Sequence, residues 1–412
     1  MVEAMEVKKG YKKSDVGIIP VDWEVIKLSE VGESIIGLTY SPYNVKPYGK
    51  LVLRSSNVQD GKLAFKDNVY VEMDFPSRVI VKENDILICV RNGSRRLIGK
   101  CALIDKKTAG SAFGAFMSVY RSEYSTFIFH QFQSFIIQWQ INETLGATIN
   151  QITNKDLATF RVPLPPTKEE QANIIKVLND ADALINQIEQ LLTKKRNIKT
   201  GAMQELLKPK EGWEEKTLGE VATLKARIGW QGLTTAEYRK TGNYFLITGT
   251  EFKNGFIDWE SCFYVDEERY KQDKNIQVKE HDVLVTKDGT IGKIALVETV
   301  PQPATLNSGV FVIRPIANSF HPEFFYYLLL SEVFSIFLSQ LSAGSTISHL
   351  YQKDFVTFKF LQPKTIDEQK EIAKILFDMD TEIQELERKL VKYKMIKQGM
   401  MQSLLTGKIR LV

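Results

Sequence analysis

Hydrophobic residues recur at alternating intervals of four and three along two long stretches of the chain, the pattern of a helix with one apolar face. A threonine followed three residues later by a glutamate opens each stretch, Thr167 with Glu170 and Thr365 with Glu368, as in the capping box that starts a helix. We therefore predict long helices over 167–208 and 365–407. The apolar residues of the first stretch are Ile174, Leu178, Ala181, Ile185, Ile188 and Leu192, and those of the second are Ile372, Leu376, Met379, Ile383, Leu386, Leu390 and Tyr393.

Shorter runs of β-branched and apolar residues precede each helix and indicate strands. Asp85-Ile86-Leu87 in the first half matches Asp282-Val283-Leu284 in the second, and Ile98-Gly99-Lys100 matches Ile291-Gly292-Lys293. Each half is thus expected to be a mixed, strand-rich globule that is followed by one long helix.

The second half of the chain repeats the first at an offset of about 198 residues, which holds over about 60 positions. The match continues through both helices, and Trp23 and Trp213 open the two halves. A chance similarity does not keep one offset over such a length, so the chain is a tandem duplication. Among the repeated residues, Gly146, Thr148, Ile149, Lys155, Asp156, Thr159 and Phe160 correspond to Gly344, Thr346, Ile347, Lys353, Asp354, Thr357 and Phe358.

The duplication predicts a globule over 1–166, a helix over 167–208, a second globule over 209–364 and a helix over 365–407. A helix of about 40 residues spans about 60 Å, more than the ~40 Å width of a globule of this size. Each helix therefore either packs on its own globule or, as we expect, extends beyond it and pairs with the other helix.

The link between the first helix and the second globule, Lys208 to Gly212, spans at most about 18 Å. The second globule then begins beside the end of the first helix, and the second helix runs back along the first. The predicted fold is α+β, with two tandem mixed α/β domains, each followed by a long helix. The helices are expected to form an antiparallel coiled coil with pseudo-two-fold symmetry that holds the globules a set distance apart.

Composition narrows the class of protein. Of the 412 residues, 43% are hydrophobic and 25% are charged, as in ordinary soluble globular proteins. No stretch reaches the roughly 20 apolar residues of a membrane helix, and the first residues lack the apolar core of a signal peptide, which predicts a cytoplasmic protein. Cys89, Cys101 and Cys262 are expected to be buried thiols, and the four histidines lack the spacing of a metal site.

A net charge of only +4 means that any DNA contact must come from local clusters. The first candidate is a loop that differs between the halves although the strands beside it match. Arginine pairs with guanine and asparagine with adenine, while lysine suits phosphate, so the residue types fit the reading of DNA. This loop contains Arg91, Asn92, Ser94, Arg95 and Arg96 in the first half, and Lys287 and Thr290 in the second.

Two further clusters occupy matching places in the halves. The alternative for all three clusters is a solvated surface loop without a partner. If the clusters read DNA, unlike loops should read unlike bases, so the target should be asymmetric and in two parts. The second cluster is Tyr43 and Asn44, opposite Lys225, Arg227 and Gln231; the third is Asn150 and Gln151, opposite Ser348 and His349.

The duplicated order of globule and Pro-x-x-x-x-Glu-Gln helix resembles the specificity subunits of Type I restriction-modification enzymes over nearly the whole chain. The motifs that carry this resemblance are Pro165 with Glu170-Gln171, Pro363 with Glu368-Gln369, and the openings at Trp23 and Trp213. The chain departs from the family pattern in one place. Asn307-Ser308-Gly309 fits the family's small-residue turn, whereas we align Ala112-Phe113-Gly114 with it in the first half.

The resemblance implies that the globules are target-recognition domains that bind double-stranded DNA and that the long helices dock two modification subunits. Those partners would bind S-adenosylmethionine and methylate adenine, and restriction subunits would use ATP and Mg²⁺. The chain itself would then be a non-catalytic reader without a cofactor of its own.

Two other classes of function remain as alternatives. An intrinsic methyltransferase or nuclease is disfavoured because Gly289-Thr290-Ile291-Gly292-Lys293 lacks the spacing of a P-loop. Ser41-Pro42-Tyr43 resembles part of an amino-methyltransferase motif, but no glycine-rich strand-to-helix turn accompanies it. The other alternative is a coiled-coil adaptor that binds proteins rather than DNA.

Overall fold

The computed structural model describes residues 7–145, 150–342 and 349–412. The chain divides into two compact units, the first made of Met1–Glu189 with Arg388–Val412 and the second of Gln190–Glu387. Each unit therefore contains one globule and a part of both long helices. This division differs from the four predicted segments, because each long helix contributes packing residues to both units.

The globule of the first unit is a mixture of short strands and helices. Its strands are β1 (Tyr11–Ser14), β2 (Gly17–Pro20), β3 (Glu24–Lys27), β4 (Gly32–Ile36), β5 (Val45–Lys46), β6 (Lys50–Leu53), β7 (Val58–Gln59), β8 (Lys62–Leu63), β9 (Tyr70–Val71), β10 (Ile86–Cys89), β11 (Cys101–Leu103), β12 (Ala112–Phe113), β13 (Met117–Ser122) and β14 (Arg161–Leu164). Its helices are α1 (Leu28–Val31), α2 (Ser125–Gln133), α3 (Phe135–Thr144) and α4 (Asn154–Thr159), and the long helix α5 (Lys168–Leu206) follows.

The central sheet of the first unit has the strand order β11-β10-β13-β4 and is antiparallel throughout. Strand β10 is fully buried, and alternate residues of the strand enter two different cores. Ile86 and Ile88 pack with residues of α2 and α3, whereas Leu87 and Cys89 pack with residues of β6 and β12. The globule thus has a helical layer, a central sheet and a second sheet of order β12-β6-β9-β5.

The globule of the second unit is likewise a mixture of short strands and helices. Its strands are β15 (Glu214–Thr217), β16 (Ala222–Lys225), β17 (Phe245–Ile247), β18 (Phe252–Lys253), β19 (Phe256–Ile257), β20 (Phe263–Tyr264), β21 (Val283–Thr286), β22 (Ile294–Leu296), β23 (Ala304–Leu306), β24 (Val310–Pro315) and β25 (Lys359–Gln362). Its helices are α6 (Leu218–Val221), α7 (Glu267–Lys271), α8 (Pro322–Leu330), α9 (Glu332–Ser342) and α10 (Gln352–Phe355), followed by the long helix α11 (Ile366–Leu404).

The two globules share one topology. In the second unit the order β16-β24-β21-β22 repeats β4-β13-β10-β11, and the parallel pair β17–β23 repeats β6–β12. Strand β21 is again fully buried, with Val283 and Val285 in the core beside α8 and Leu284 in the core beside β17 and β23. The prediction of a duplicated, mixed globule followed by a long helix is therefore confirmed.

Helices α5 and α11 each contain 39 residues, and their ends agree with the predicted bounds within about three residues. Most of the predicted apolar seam is buried, including Ile174 and Leu178 in the first helix and Ile372 and Leu376 in the second. Long helices in proteins are stabilised mainly by packing one apolar face against other parts of the molecule. The spacing of four and three therefore predicted correctly both the helices and the face that they bury.

The start of α5 differs from a complete capping box. Thr167 accepts a hydrogen bond from the backbone N–H of Glu170 at 3.2 Å, as predicted. The Glu170 carboxylate accepts hydrogen bonds from Arg410 at 2.5 and 2.9 Å instead of returning to Thr167. At the start of α11, Glu368 similarly accepts a hydrogen bond from the indole N–H of Trp213 at 3.2 Å.

The Pro-x-x-x-x-Glu-Gln motif has a direct structural reason. The side-chain amide of Gln171 donates to the carbonyl oxygen of Pro165 at 2.8 Å, and Gln369 donates to Pro363 at 3.0 Å. Both glutamines are almost fully buried. Each therefore satisfies a backbone acceptor that lies just before a helix begins, outside the hydrogen-bond ladder of that helix.

The three cysteines are free and buried, as predicted. Burial raises the pKa of Cys101 and of Cys262 to about 12, so these thiols remain protonated. Among the described helices, none alone combines the length and the apolar composition needed to cross a membrane; Pro322–Leu330 and Glu332–Leu341 do so only as a pair bent by 61°.

Candidate nucleic-acid interface

The predicted loop Arg91–Arg96 leaves the buried strand β10 and returns to β11 through a short 3₁₀ turn at Arg95–Leu97. The Asn92 side chain braces the loop, because its oxygen accepts the backbone N–H of Ser94 at 3.0 Å and its amide donates to the Ser55 hydroxyl at 3.3 Å. Asn92 is therefore already engaged within the protein, while the backbone around Gly93 remains at the surface.

The structure brings the first and third predicted clusters of the first half together. Arg91 and Gln151 form an antiparallel β-bridge, and the backbone N–H of Asn92 donates to the carbonyl of Asn150 at 3.4 Å. The side-chain amide of Asn150 donates to the carbonyl of Gly93 at 3.1 Å. Two clusters that are about 55 residues apart in sequence thus form one surface, which we call the first-unit surface (Arg91–Arg96 with Asn150 and Gln151).

The three arginines of the first-unit surface have different environments. Arg91 lies over the ring of Phe116, with 5.2 Å from the guanidinium carbon to the ring centroid. Arg95 donates to the carbonyls of Asn142 and Leu145 near the end of α3, at 3.1 and 3.3 Å. Arg96 is exposed and has no hydrogen bond or ion pair within the described part of the chain. Arg96 and Arg91, which are both exposed, are therefore the guanidinium groups of this surface best placed to meet a ligand.

The same two clusters also meet in the second unit. The backbone N–H of Lys287 donates to Gly309 at 2.8 Å, and the N–H of Leu350 donates to the carbonyl of Lys287 at 2.9 Å. The imidazole of His349 contacts the carboxylate of Asp288. We call Lys287–Thr290 with His349 the second-unit surface. Ser348, also predicted here, lies outside the described residues.

Lys287 and Thr290 differ in exposure. The Lys287 ammonium lies 5.3 Å from the centroid of the Phe311 ring and is only partly exposed. Thr290 is exposed at the tip of the loop, and its carbonyl accepts a hydrogen bond from the Thr286 hydroxyl at 2.5 Å. The hydroxyl of Thr290 is therefore at the tip, while its backbone shapes the turn.

The predicted pair Tyr43 and Asn44 lies in a 3₁₀ turn over Pro42–Asn44. Tyr43 is 89% exposed. Asn44 accepts the backbone N–H of Ser41 at 3.1 Å and donates to the carbonyl of Glu72 at 3.4 Å. Tyr43 is thus open to a ligand, whereas Asn44 also stabilises the turn.

The prediction that Arg227 contacts DNA is wrong, because its side chain is buried. Arg227 is 1% exposed and donates to the Leu306 carbonyl at 2.9 Å, the Thr305 hydroxyl at 3.1 Å and the Gln272 side chain at 3.0 Å. Burial lowers the pKa of Arg227, and the neighbouring cation of Arg269 adds to that effect. Arg227 is a structural residue that ties β23 to the α7 region.

The neighbouring predicted residues have different surroundings. Lys225 is exposed at the end of β16, in agreement with a role at the surface. Gln231 lies in the 3₁₀ turn Gly229–Gln231, and its side-chain oxygen is buried without a hydrogen-bond partner among the described residues.

A cleft of about 540 Å³ borders the second-unit surface. The segment that follows Gln231 reaches it, since the N–H of Leu233 donates to the Asn307 side chain at 3.3 Å. Hydroxyls, one amide, a carboxylate, a lysine and two aromatic rings line the cleft, and these groups offer hydrogen bonds to base edges and phosphates. The lining residues are Tyr238, Thr248, Gly249, Thr250, Phe263, Thr286, Asp288, Gly289, Thr290, Lys293, Asn307, Ser308 and Gly309.

A cleft of about 490 Å³ borders the first-unit surface in the corresponding place. Ser55, which Asn92 contacts, and Phe116, on which Arg91 lies, both line it. The complete lining is Leu38, Thr39, Tyr40, Arg54, Ser55, Ser56, Asp67, Gly114, Ala115, Phe116 and Met117.

Backbone hydrogen bonds establish which residues of the two clefts correspond. The N–H of Gly114 donates to the carbonyl of Leu53 at 2.9 Å, and the N–H of Asn307 donates to Ile247 at 2.8 Å, each just after a parallel strand pair. Gly114 therefore corresponds to Asn307. The small-residue turn of the first half is Gly114-Ala115-Phe116, which corrects our alignment of Ala112-Phe113-Gly114 with Asn307-Ser308-Gly309.

Several cleft residues were missed from the sequence because the halves do not share them. Arg54-Ser55-Ser56-Asn57 corresponds to Thr248-Gly249-Thr250-Glu251, and no residue is identical between the two segments. Their last side chains nevertheless do the same work, since Asn57 accepts the N–H of Arg54 at 2.9 Å and Glu251 accepts the N–H of Thr248 at 3.0 Å. The sequence feature that could have indicated these cleft residues is a polar segment that directly follows an apolar strand in each half.

The structure contains no group of three or more histidine, cysteine, aspartate or glutamate side chains, within the part of the chain that it describes, that could hold a metal ion. The groups gathered at both surfaces are suited to hydrogen bonding, stacking and charge pairing with a nucleic acid.

Comparisons with known proteins agree with this interpretation. The family model for the Type I restriction modification DNA specificity domain matches the chain twice, over residues 20–199 and 210–392. A putative type I restriction enzyme MjaX specificity subunit of Methanocaldococcus jannaschii is 26% identical, with 98% of this chain and 97% of that protein covered. The MjaVIII specificity subunit of the same organism is 27% identical over 95% of this chain and 94% of its own length, and the Escherichia coli EcoBI specificity subunit is 21% identical over 85% and 78%.

Solved structures show the same fold. The S subunit of a Type I restriction-modification system from M. genitalium superposes with a TM-score of 0.60 at 17% identity, covering 93% of this chain and 96% of that one. A chain from a structure that describes complex assembly and conformational transition of the type I R-M system gives a TM-score of 0.55 at 16% identity, covering 95% and 99%. The two matches to the family model span most of the sequence, one in each half. This chain therefore belongs to the Type I restriction-modification DNA specificity family, as a specificity subunit with two tandem specificity domains.

Proposed function

We propose that this chain reads an asymmetric DNA target in two parts and directs adenine methylation and restriction by partner subunits, without catalysing either reaction. The observation that supports this proposal best is the repetition of one loop-and-cleft site on two copies of the same scaffold. A repeated scaffold with unlike loops is the arrangement expected of two readers with different preferences.

The chemical differences between the two surfaces support an asymmetric target. The first-unit surface presents Arg91 and Arg96, which can pair with guanine through two hydrogen bonds. The second-unit surface presents Lys287 and the hydroxyl of Thr290, with the Asp288 carboxylate against His349. A carboxylate can accept from cytosine and repels phosphate, so the two surfaces should favour different bases.

We further propose that α5 and α11 form an antiparallel coiled coil that sets the gap between the two parts of the target. The order of the contacts supports opposite directions in each unit taken separately. In the second unit Lys195 pairs with Glu382 at 2.6 Å, and Lys199, further along α5, pairs with Asp380, earlier in α11. In the first unit, ion pairs join Glu189 with Lys394 and Asp182 with Lys397.

The proposed partners are two modification subunits that dock on the long helices, with restriction subunits in the complete complex. Apolar side chains left exposed on the helices support this docking. S-adenosylmethionine, ATP and Mg²⁺ would be bound by those partners and not by this chain. The exposed residues are Leu184, Val391, Met395 and Ile396 in the first unit, and Leu191, Ile198 and Ile375 in the second.

Two assays test the proposal. The chain purified with its modification partner should bind DNA less tightly as salt is added. The logarithm of the binding constant should fall linearly with the logarithm of the salt concentration, with a slope of about −0.9 for each phosphate contacted. An affinity for DNA that is absent or independent of salt would favour the adaptor. The chain alone, given S-adenosylmethionine or ATP with Mg²⁺, should neither methylate nor cleave DNA, and methylation by the isolated chain would refute the non-catalytic role.

A further inference from the structure

Each unit contains an aspartate–lysine ion pair that joins the two long helices. In the first unit the Lys397 ammonium of α11 donates to Asp182 of α5 at 2.6 Å, and also to the side-chain oxygen of Gln133 at the end of α2 at 3.2 Å. The Lys397 side chain is 12% exposed. A cation with so little exposure depends on these partners, because burial removes its hydration.

The pair in the second unit is similarly connected. Lys199 of α5 donates to Asp380 of α11 at 2.5 Å, and the Tyr327 hydroxyl of α8 donates to the other oxygen of Asp380 at 2.8 Å. The Lys199 ammonium also lies 5.4 Å from the centroid of the Tyr327 ring. The side chains of Lys199 and Asp380 are 17% and 12% exposed. In both units the pair therefore ties the two long helices to a helix of the globule.

The two pairs are copies of one another under the tandem repeat. The offset of about 198 residues carries Asp182 onto Asp380 and Lys199 onto Lys397. Each half of the chain thus supplies the acid of one pair and the base of the other. The two lysines of these pairs are 12% and 17% exposed, with Asp182 at 34%, whereas in the neighbouring pair Lys195–Glu382 the side chains are 31% and 49% exposed.

We propose that these two pairs fix the register of α5 against α11 and so act as positioning residues for the DNA-reading surfaces. This inference rests on the proposed function and adds the residues that define the gap. A single polar residue in the apolar seam of a coiled coil is known to select one register, because every other register leaves it without a partner.

Slipping the helices by one heptad shows why the pairs select one register. In one direction Asp182 would face Leu404 and Asp380 would face Leu206. In the other direction the same two aspartates would face Leu390 and Leu192. Either slip places a carboxylate against leucine, which is costly, whereas the seam of leucine and isoleucine alone would tolerate a shift by seven residues.

Charge reversal in the first unit tests the proposal in the chain assembled with its modification partner. The variants are Asp182→Lys, Lys397→Asp and the two together, which exchange the charges and keep the pair. The Gln133 amide can accept from an ammonium or donate to a carboxylate, so the exchanged pair has a hydrogen-bonding neighbour as well. The matched control is the ion pair of Lys374 with Asp378 on α11, whose side chains are 75% and 62% exposed. Its variants are the single reversal Lys374→Asp and the exchanged pair, Lys374→Asp with Asp378→Lys.

The measurement is selection of DNA from a library in which the two half-sites are separated by gaps of every length. A slip by one heptad moves a helix by about 10 Å, or about three base pairs. For each single reversal, the ratio of binding at the preferred gap to binding three base pairs away should fall by about tenfold. The exchanged pair should restore the ratio, and the control variants should leave it unchanged.

The outcomes separate the inference from the function on which it rests. The register role alone would be overturned if both single-reversal variants keep the wild-type preference for one gap. It would also be overturned if the single variants lose that preference and the exchanged pair does not restore it. A wild-type complex that shows no preferred gap would overturn the proposed function and the inference with it. If a reversal prevents folding, Asp182→Asn keeps the shape of the side chain and removes its charge. This variant should also lower the ratio of binding at the preferred gap to binding three base pairs away.

Discussion

Arg121 and Asp85 form an ion pair through two parallel hydrogen bonds, from Nε at 2.8 Å and from Nη2 at 2.7 Å. Arg314 and Asp282 repeat this arrangement in the second unit, with both bonds at 2.6 Å. Asp85 and Asp282 are 2% and 3% exposed. Their identity in the two halves thus reflects a buried structural pair at the start of the central strand.

Removing this carboxylate should destabilise the fold. Asp85→Ala leaves the Arg121 guanidinium without its buried partner, and we expect the free energy of unfolding to fall by about 3–5 kcal/mol. Denaturant unfolding provides the measurement. The control is Asp266→Ala, which removes the exposed partner of Arg239 and should cost less than about 1 kcal/mol. Equal effects of the two substitutions would contradict the structural role of Asp85.

Arg96 is predicted to be a direct DNA contact. Because it has no partner within the described residues, Arg96→Ala should leave the stability unchanged and weaken binding to the specific target by about 1–3 kcal/mol. Binding by the chain with its modification partner is measured on target and non-target DNA. Lys107→Ala is the control, since Lys107 is exposed beyond the opposite end of β11. Equal affinities of the Arg96 variant and the wild-type chain would reject the contact.

Lys225 and Arg227 are two residues apart and should respond in opposite ways. Arg227→Ala removes several buried hydrogen bonds, so we expect the free energy of unfolding to fall by about 2–4 kcal/mol. Lys225→Ala should preserve stability. If Lys225 contacts phosphate, the variant should also reduce the slope of log binding constant against log salt concentration by about 0.9, the value for one phosphate contact. Thermal unfolding and binding at several salt concentrations distinguish the two. A stable Arg227 variant would contradict the burial that the structure shows.

His130 should make the stability of the protein depend on pH. Burial lowers the pKa of His130 to about 4, and the neighbouring Lys397 cation adds to this shift. An unfolded histidine has a pKa of about 6.5, so the unfolded state binds more protons between pH 6.5 and 4. Stability from this residue is therefore complete above pH 6.5 and is lost as the pH falls toward 4.

Between pH 6.5 and 5 the loss should amount to about 1.5 kcal/mol. Denaturant unfolding at both pH values gives this difference, and His130→Asn should reduce it even though the variant itself is less stable. If the wild-type chain and the variant lose the same stability over this interval, His130 is not the group that titrates.

The sequence was most informative where the two halves agree. The offset shared by Pro165 with Gln171 and by Pro363 with Gln369 repeats at both helix starts, because each glutamine amide pairs with the carbonyl of the proline that precedes its helix. The buried strands were visible for a similar reason. Their β-branched residues pack on both faces, which leaves no position free to vary in polarity.

The sequence was least informative where the chain is polar and the halves differ. Arg227 looked like a surface cation because burial of a guanidinium depends on acceptors from Gln272, Thr305 and Leu306, far away in sequence. The clefts were not predicted because Ser55 and Gly249 occupy the same place without being identical. Joining Asn150 to the loop at Gly93 likewise required tertiary contacts that periodicity does not encode.

The central claim is that one chain couples two unlike DNA readers at a set distance. Single-molecule sequencing of host DNA, which maps methylated adenines with and without this chain, tests it most directly. We predict methylated adenines within one asymmetric motif of two unlike parts separated by a constant gap, and their loss when the chain is deleted. Methylation at a continuous motif, at two identical half-sites or across variable gaps, or methylation that persists without the chain, would contradict the account.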